Sequence, residues 1–202
     1  MTNTPKRQIW QEVAQDILVG SFWGPKFCAR LIELANESGN GFKPLEQDVG
    51  ANTAPGQEMR LNQIRDKYAA SDNFVEKYKR DVQETLFPII RKFWWPVKIE
   101  GLRMPFMIKY TMDTQRAMDA HHDSGLVSLV VKMNDAYTDG HLSFPRQGWD
   151  SRDVPVGHVI LFPSMVTHVH KVEPITSGER YSFTGWIVGP IGGANTNYND
   201  LI

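Results

Sequence analysis

The chain has 202 residues, 41% of them hydrophobic and 22% charged, which is enough for one domain with a substantial core. Its 22 basic and 23 acidic residues leave a formal net charge of −1. Because the two signs are mixed along the chain, no basic face signals nucleic acid or anionic lipid. No run of about 18 apolar residues occurs, and MTNTPKRQIWQEV lacks a charged start followed by an apolar stretch, so the expectation is a cytoplasmic protein. Cys28 is the single cysteine. It rules out an intrachain disulfide, and its apolar helical surroundings predict a core thiol.

In chain order, DILVGSF from Asp16 to Phe22 fits a short strand, whereas the preceding WQEVAQDIL also fits a helical period. Periodicity does not choose between them. GPKFCARLIELANESG predicts a helix, with Pro25 near its start, Phe27, Leu31, Ile32 and Leu34 on one face, and Gly39 able to end it. Asn40 to Gln57 mixes Gly, Pro, Asn and Asp without a period and reads as a long loop, a candidate lid. SDNFVEKYKRDVQETLFPIIRKFWW, from Ser71, carries a Ser or Asp cap and a 3.6-residue apolar stripe, with Pro88 expected to kink or split it.

After Pro96 the pattern changes to short runs rich in Val, Ile, Phe and Tyr, separated by Gly, Pro, Asn and Asp. VKIEGL, PFMIKYT, GLVSLVVKM, GHLSF, GHVILFP and YSFTGWIV are candidate strands. Their spacing predicts an antiparallel sandwich or barrel, with the earlier helices covering one sheet from outside. All six histidines fall in this second half.

The stretch DAHHDSG, from Asp119 to Gly125, precedes the strand GLVSLVVKM. On extended backbone, side chains two apart share a side, so His121 and Asp123 converge while His122 turns away. Downstream, FPSMVTHVHKVEPITSGERYS carries His168 and His170, with Arg180 ten positions after His170. A third ligand from that strand completes two imidazoles and one carboxylate on one face of a metal, leaving other positions open, a set that favours non-haem ferrous iron. Zinc is the chief competitor, weakened by the missing HExxH helix and the lack of thiol ligands. Arg180 can pair its planar fork with the carboxylate of a dicarboxylic cosubstrate, and Ser182 on the same strand face can add a hydroxyl.

The order HHD, MND, DGHLSF, GHVILFPS and HKVEPITSGERYS resembles the iron- and 2-oxoglutarate-dependent dioxygenases, specifically the prolyl and lysyl hydroxylases. The likeness covers roughly Phe106 to Val188 and is loose over the helical half. It is nearest to the catalytic domain of procollagen-lysine dioxygenases in the HHD doublet, in a Tyr-x-Gly-like approach at Tyr137 to Gly140, and in the Thr-His-x-His run from Thr167 to His170. The fold this resemblance implies is mainly β with flanking helices, a double-stranded β-helix (jelly-roll) core packed by N-terminal helices. The chain would be one domain over 1–202: a helical support region (1–96), the jelly-roll core (97–190) and a flexible tail (191–202).

Carried over by position, the resemblance makes His121, Asp123 and His170 the iron ligands and His168 a neighbouring pocket residue. Arg180 and Ser182 would hold the distal carboxylate of 2-oxoglutarate, with the phenol of Tyr110. Asn134 stands as a turn residue or a cosubstrate contact. His122, His141 and His158 have ordinary readings as surface or core imidazoles. The implied requirements are Fe(II), 2-oxoglutarate and O2, with ascorbate as a further candidate. Oxidative decarboxylation to succinate would be coupled to hydroxylation of a substrate carbon. Leu129, Val131, Phe144, Ile160, Phe162 and Trp186 are the expected walls.

The chain departs from the collagen-modifying enzymes in having no secretory signal and no glycosyltransferase region, and in reading Asp139, Gly140, His141 where a glycine pair is usual. Collagen is therefore not the expected substrate. The leading expectation is hydroxylation of a peptidyl lysine or proline; the alternatives are a hydroxylase of a free amino acid or other small metabolite, and a non-catalytic metal- or ligand-binding barrel. The partner is thus a peptide, protein or small molecule, and the oligomeric state is not legible. The polar stretch Thr138 to Asp153, with Arg146 and Trp149, is a second candidate lid at the pocket rim.

Overall fold

Two apolar faces on one sheet organise the molecule. The computed structural model describes residues 10–38, 41–44, 57–66, 72–190 and 201–202. Strands β1 (Gln11–Ala14) and β2 (Ile17–Ser21) form a hairpin, followed by helix α1 (Pro25–Glu37). Strands β3 (Lys43–Pro44) and β4 (Gln57–Arg60) come next. Helix α2 (Asp72–Asp81), a π-helical turn (Val82–Leu86) and α3 (Phe87–Phe93) then follow in direct succession. The rest is β5 (Gly101–Leu102), β6 (Phe106–Tyr110), β7 (Met118–His121), β8 (Val127–Lys132), β9 (Tyr137–Asp139), β10 (Leu142–Phe144), β11 (Trp149–Asp150), β12 (His158–Pro163), β13 (His170–Val172), β14 (Ile175–Gly178) and β15 (Arg180–Val188).

Among the described residues the major sheet has the order β1-β2-β12-β8-β15-β6-β4-β3, with β5 beside β15; the minor sheet is β11-β10-β13-β7, and β14 pairs with β9. Every pairing is antiparallel. The major sheet is covered on both faces, which is why its central strands read as nearly continuous apolar runs. Leu129 and Val131 of β8, Val159 and Leu161 of β12, and Phe183 and Ile187 of β15 pack toward the helices, against Cys28, Leu31, Leu34, Tyr78, Val82, Leu86 and Ile90. Their neighbours Val130, Ile160 and Phe162 face the minor sheet and meet Leu142, Phe144 and Val172. The jelly-roll core packed by helices is therefore present.

Of the two readings of the N-terminal segment the strand holds: β2 occupies Ile17–Ser21, and the hairpin turns at Asp16 with φ +57°. Other expectations need correction. The first 96 residues are not only helical, since they supply β1 to β4 of the major sheet. Thr138 to Asp153 is not a loop: it contains β10 and β11, paired as a hairpin, and the Trp149 ring packs 5.8 Å from Phe144. The expected loop Asn40 to Gln57 lies mostly outside the described residues. Of the expected tail, residues 191–200 also lie outside them, while Leu201 bridges to Arg103 and the Ile202 N–H donates to the Leu102 carbonyl at 3.0 Å.

Pro88 splits the helix as expected, by a specific device. It cannot donate to the carbonyl of Glu84, and its ring would crowd that carbonyl. The turn before it widens, and the Phe87 N–H reaches back to the Val82 carbonyl. Indole N–H groups tie the helices to the sheet: Trp23 donates to Asp81 of α2 and Trp94 to Asp16, each at 2.8 Å. Burial pushes the Cys28 thiol up to about 11, as suits a core thiol. No helix of the described residues is long and apolar enough to cross a membrane.

Gly157 joins β12 to the end of β2. Its carbonyl accepts the N–H groups of both Phe22 and Trp23, at 3.1 and 2.9 Å, and its φ is +81°. A Cβ there would also run into the Trp23 carbonyl. Gly157→Ala should cost at least about 2 kcal/mol and lower Tm by roughly 4–8 °C. A thermal melt within a degree of the parent would show that this turn relaxes freely.

Candidate metal and cosubstrate site

His121 ends β7 and His170 begins β13, and the two face each other as a cross-strand pair. Their ring centroids are 4.4 Å apart. Asp123, two residues beyond His121, completes the group. Its Oδ1 is 3.8 Å from His121 Nε2 and its Oδ2 is 3.8 Å from His170 Nε2. One ligand atom from each residue lies within 4.8 Å of the others, the only such group of three or more His, Cys, Asp or Glu among the described residues.

Backbone carbonyls set the tautomers. His121 Nδ1 donates to the Asp119 carbonyl at 2.8 Å and His170 Nδ1 to the His168 carbonyl at 3.0 Å. With the proton on Nδ1, each Nε2 keeps a lone pair for a cation. His170 is packed behind by Phe162 and Phe144, with ring centroids 4.8 and 5.5 Å away. That burial drives its imidazole below the ordinary range, against the opposing pull of the Asp123 charge, and so favours the neutral, ligating form.

His168 is buried too, but both of its nitrogens are engaged. Nε2 donates to the Gln15 carbonyl at 3.2 Å and Nδ1 accepts from the Thr167 hydroxyl at 3.0 Å. It belongs to the support of the hairpin turn, and only its carbonyl reaches the site. His122 is exposed, its Nδ1 donating to the Asp123 carbonyl at 3.0 Å. Asn134 is not a cosubstrate contact. It clamps β15 to the preceding loop, donating to the Glu179 carbonyl at 2.8 Å and accepting the Tyr181 N–H at 2.9 Å.

The three donors open on a cavity of about 990 Å³. Alternate residues of β15, namely Arg180, Ser182, Thr184 and Trp186, line one wall, and Phe106, Ile108 and Tyr110 of the neighbouring β6 continue it. Arg180 is only 5% exposed. Its Nη1 donates to Ser182 Oγ at 3.2 Å, and its guanidinium carbon lies 4.9 Å from the centroid of the Tyr110 ring and 6.0 Å from that of Tyr137. No carboxylate of the described residues pairs with it. A guanidinium taken out of water and left without a counter-charge is costly, and the cavity in front of it is where an anion would go.

Of the expected walls only Trp186 lines the cavity. Leu129 and Val131 point to the helix side, one strand parity away from Val130, which does line it. Phe144, Ile160 and Phe162 face inward without reaching the cavity, the two phenylalanines behind His170. The rim is made chiefly by residues 112–119, with Glu58 among the other lining residues. Tyr137, from the Tyr-x-Gly-like approach, stacks behind Arg180 without lining the cavity.

Residues 106–188 match the sequence profile described as the 2OG-Fe(II) oxygenase superfamily. Over this segment, less than half of the chain, the sequence is similar to the 2OG-Fe(II) oxygenases. Among the proteins it resembles are lysyl and prolyl hydroxylases. It is 23% identical over 186 residues to the procollagen lysyl hydroxylase and glycosyltransferase of Acanthamoeba polyphaga mimivirus, covering 88% of this chain and 20% of that protein. It is 29% identical over 175 residues to the 2-oxoglutarate and iron-dependent oxygenase domain-containing protein 2 of Xenopus tropicalis, covering 81% of this chain and 46% of that one. The chain thus spans less than half the length of these relatives.

Among solved structures, a Pseudomonas putida prolyl-4-hydroxylase superposes with TM-score 0.62 at 19% identity, covering 86% of this chain and 92% of that one. A Trichoplax adhaerens prolyl hydroxylase solved with a hypoxia inducible factor peptide fragment superposes with TM-score 0.65 at 15% identity, covering 86% and 84%. These likenesses establish the fold. The 2OG-Fe(II) oxygenase family uses Fe(II), 2-oxoglutarate and O2. The donor set fits the metal, and the buried Arg180, which pairs with no carboxylate of the described residues, fits a dianionic cosubstrate.

Cobalt(II) titration of the metal-free protein should separate the two buried histidines. His121→Ala, Asp123→Ala or His170→Ala should each weaken cobalt(II) binding by more than about 100-fold. His168→Ala keeps the carbonyl that orients His170 and should retain metal affinity, losing instead about 2 kcal/mol of stability through the Gln15 and Thr167 bonds. The opposite pattern would make His168 the ligand.

Proposed function

We propose that the protein is an Fe(II)- and 2-oxoglutarate-dependent hydroxylase acting on a peptidyl lysine or proline. One observation carries this reading: two lone-pair imidazole nitrogens and a carboxylate converge on a cavity that also holds a buried arginine with no carboxylate partner among the described residues. His121, Asp123 and His170 are assigned as the iron ligands. Arg180, with Ser182 and Tyr110, is assigned to the far carboxylate of 2-oxoglutarate.

When bound, iron and 2-oxoglutarate supply with dioxygen an oxidation in which the cosubstrate becomes succinate and carbon dioxide and a substrate C–H becomes C–OH. The protein's own part is to bind, orient and keep water away. Arg180 offers parallel N–H donors matched to a carboxylate, on a strand whose register with Tyr110 holds the guanidinium against the phenol ring. Ile108, Val130, Leu142 and Trp186 form an apolar lining that limits water near the metal ligands.

A peptide substrate is favoured by the relatives. The mimivirus protein's name is that of a procollagen lysyl hydroxylase, and the Trichoplax structure holds a peptide fragment.

Succinate release from lysine- and proline-containing peptides should exceed that from the free amino acids. Preference for the free amino acids would turn the reading toward a small-metabolite hydroxylase. Loss of one partner from a buried charged pair costs about 3–5 kcal/mol. Arg180→Ala should therefore raise the 2-oxoglutarate KM by two orders of magnitude or more, with Arg180→Lys falling between and cobalt(II) affinity barely changed. An unchanged KM in Arg180→Ala would remove this residue from cosubstrate binding.

A further inference from the structure

We propose that Ser128 and Ser164 form a buried hydroxyl relay that holds Asp123 as a one-oxygen metal ligand. The inference rests on the assignment of His121, Asp123 and His170 as the iron site. Ser128 and Ser164 are 0% and 1% exposed. Ser128 Oγ lies 2.5 Å from Asp123 Oδ2 and 2.8 Å from Ser164 Oγ.

The direction of the relay follows from proton counting. A carboxylate only accepts, so Ser128 gives its single hydroxyl proton to Asp123. The 2.8 Å bond must then run from Ser164 to Ser128. Both hydroxyl dipoles point at the carboxylate, and in a low-dielectric wall each strengthens the other.

The fold is shaped around these two hydroxyls. Ser128 sits on β8 opposite Trp186 of β15. Ser164 follows β12, and its N–H donates to the Leu126 carbonyl at 3.2 Å. At Gly125 a Cβ would stand 3.1 Å from both Ser164 Oγ and Trp186 Cβ, tighter than ordinary packing allows. The bare backbone at 125 leaves the Ser164 hydroxyl its place. The relay also binds Asp123 to the segment between β12 and β13 that delivers His170, so two of the three proposed ligands are positioned together.

The chemical consequence concerns the number of ligand atoms. Both carboxylate oxygens lie 3.8 Å from a ligand nitrogen, Oδ1 from His121 Nε2 and Oδ2 from His170 Nε2. Only Oδ2 spends a lone pair on the short charge-assisted bond from Ser128, which makes Oδ1 the stronger donor toward a metal. A carboxylate biased in this way toward one oxygen would leave one more coordination position for small ligands. Ser128 and Ser164 are positioning residues, acting through Asp123.

The test is cobalt(II) titration of the metal-free full chain, alone and with 2-oxoglutarate, followed by visible absorption. Ser128→Ala should weaken cobalt(II) binding by about 10–100-fold and change the intensity of the cobalt(II) bands as Asp123 gains freedom to chelate. Ser164→Ala should give a smaller change in the same direction, and Ser128→Thr, which keeps the hydroxyl, should match the parent. Parental affinity and spectrum in Ser128→Ala would overturn the relay, as would an equal loss in Ser128→Thr. If Ser128→Ala does not fold, Ser164→Ala decides by the same two readouts, parental values counting against the relay. A parent that binds no cobalt(II) would overturn the metal-site assignment itself and the relay with it.

Discussion

The pairing of His121 with His170 across β7 and β13 is the constraint on which the rest of the site depends. It brings together two imidazoles that are 49 positions apart in the chain, the difference between their residue numbers. Shifting either strand by one residue would turn one ring to the opposite face of the minor sheet. The carbonyls of Asp119 and His168 depend on the same register, since each fixes a ring from two residues upstream. Asp123 joins them because the chain leaves β7 immediately after His121 and its carboxylate comes to the mouth between the strands.

The major sheet supplies the second half of the site by having two kinds of residue on one strand. Along β15, Tyr181, Phe183 and Ile187 lie in the helix-side core while Arg180, Ser182, Thr184 and Trp186 line the cavity. Helices α1 and α2 therefore serve the chemistry indirectly, by burying one face so that the other can carry polar groups in a fixed register. Gly185 shows how closely this is fitted, since a Cβ there would collide with the Tyr78 hydroxyl of α2. Burial of Arg180 with no carboxylate partner among the described residues is the electrostatic counterpart, a cost that the fold's packing offsets and a bound anion would relieve.

Support around the site is mostly polar and local. Each proposed metal ligand has one partner on its far side: a carbonyl for His121, a carbonyl for His170 and a hydroxyl for Asp123. Such partners orient ligands before any cation arrives, which reduces the reorganisation that binding requires.

From the sequence alone, the central strands and the residue types of the proposed site could be read. Apolar runs marked β6, β8, β12 and β15, the helical stripe marked α1 to α3 with its break at Pro88, and the two-residue spacing of His121 and Asp123 put both on one side of the chain. These are local properties, readable because side-chain direction repeats every two or 3.6 residues. Tertiary structure alone decided what depends on pairing between distant segments. The N-terminal hairpin joined the major sheet although its periodicity fitted helix as well, Thr138 to Asp153 paired with itself instead of forming a loop, and Val130 faced the cavity where Leu129 and Val131 had been expected. His170 rather than His168 keeps a free ring nitrogen toward the cavity, because the Gln15 carbonyl and Thr167 hydroxyl engage both nitrogens of His168. Alternation says that neighbours on a strand face opposite ways. Which way is which depends on the partner strand and on the layer packed against it, and neither is written in the local sequence.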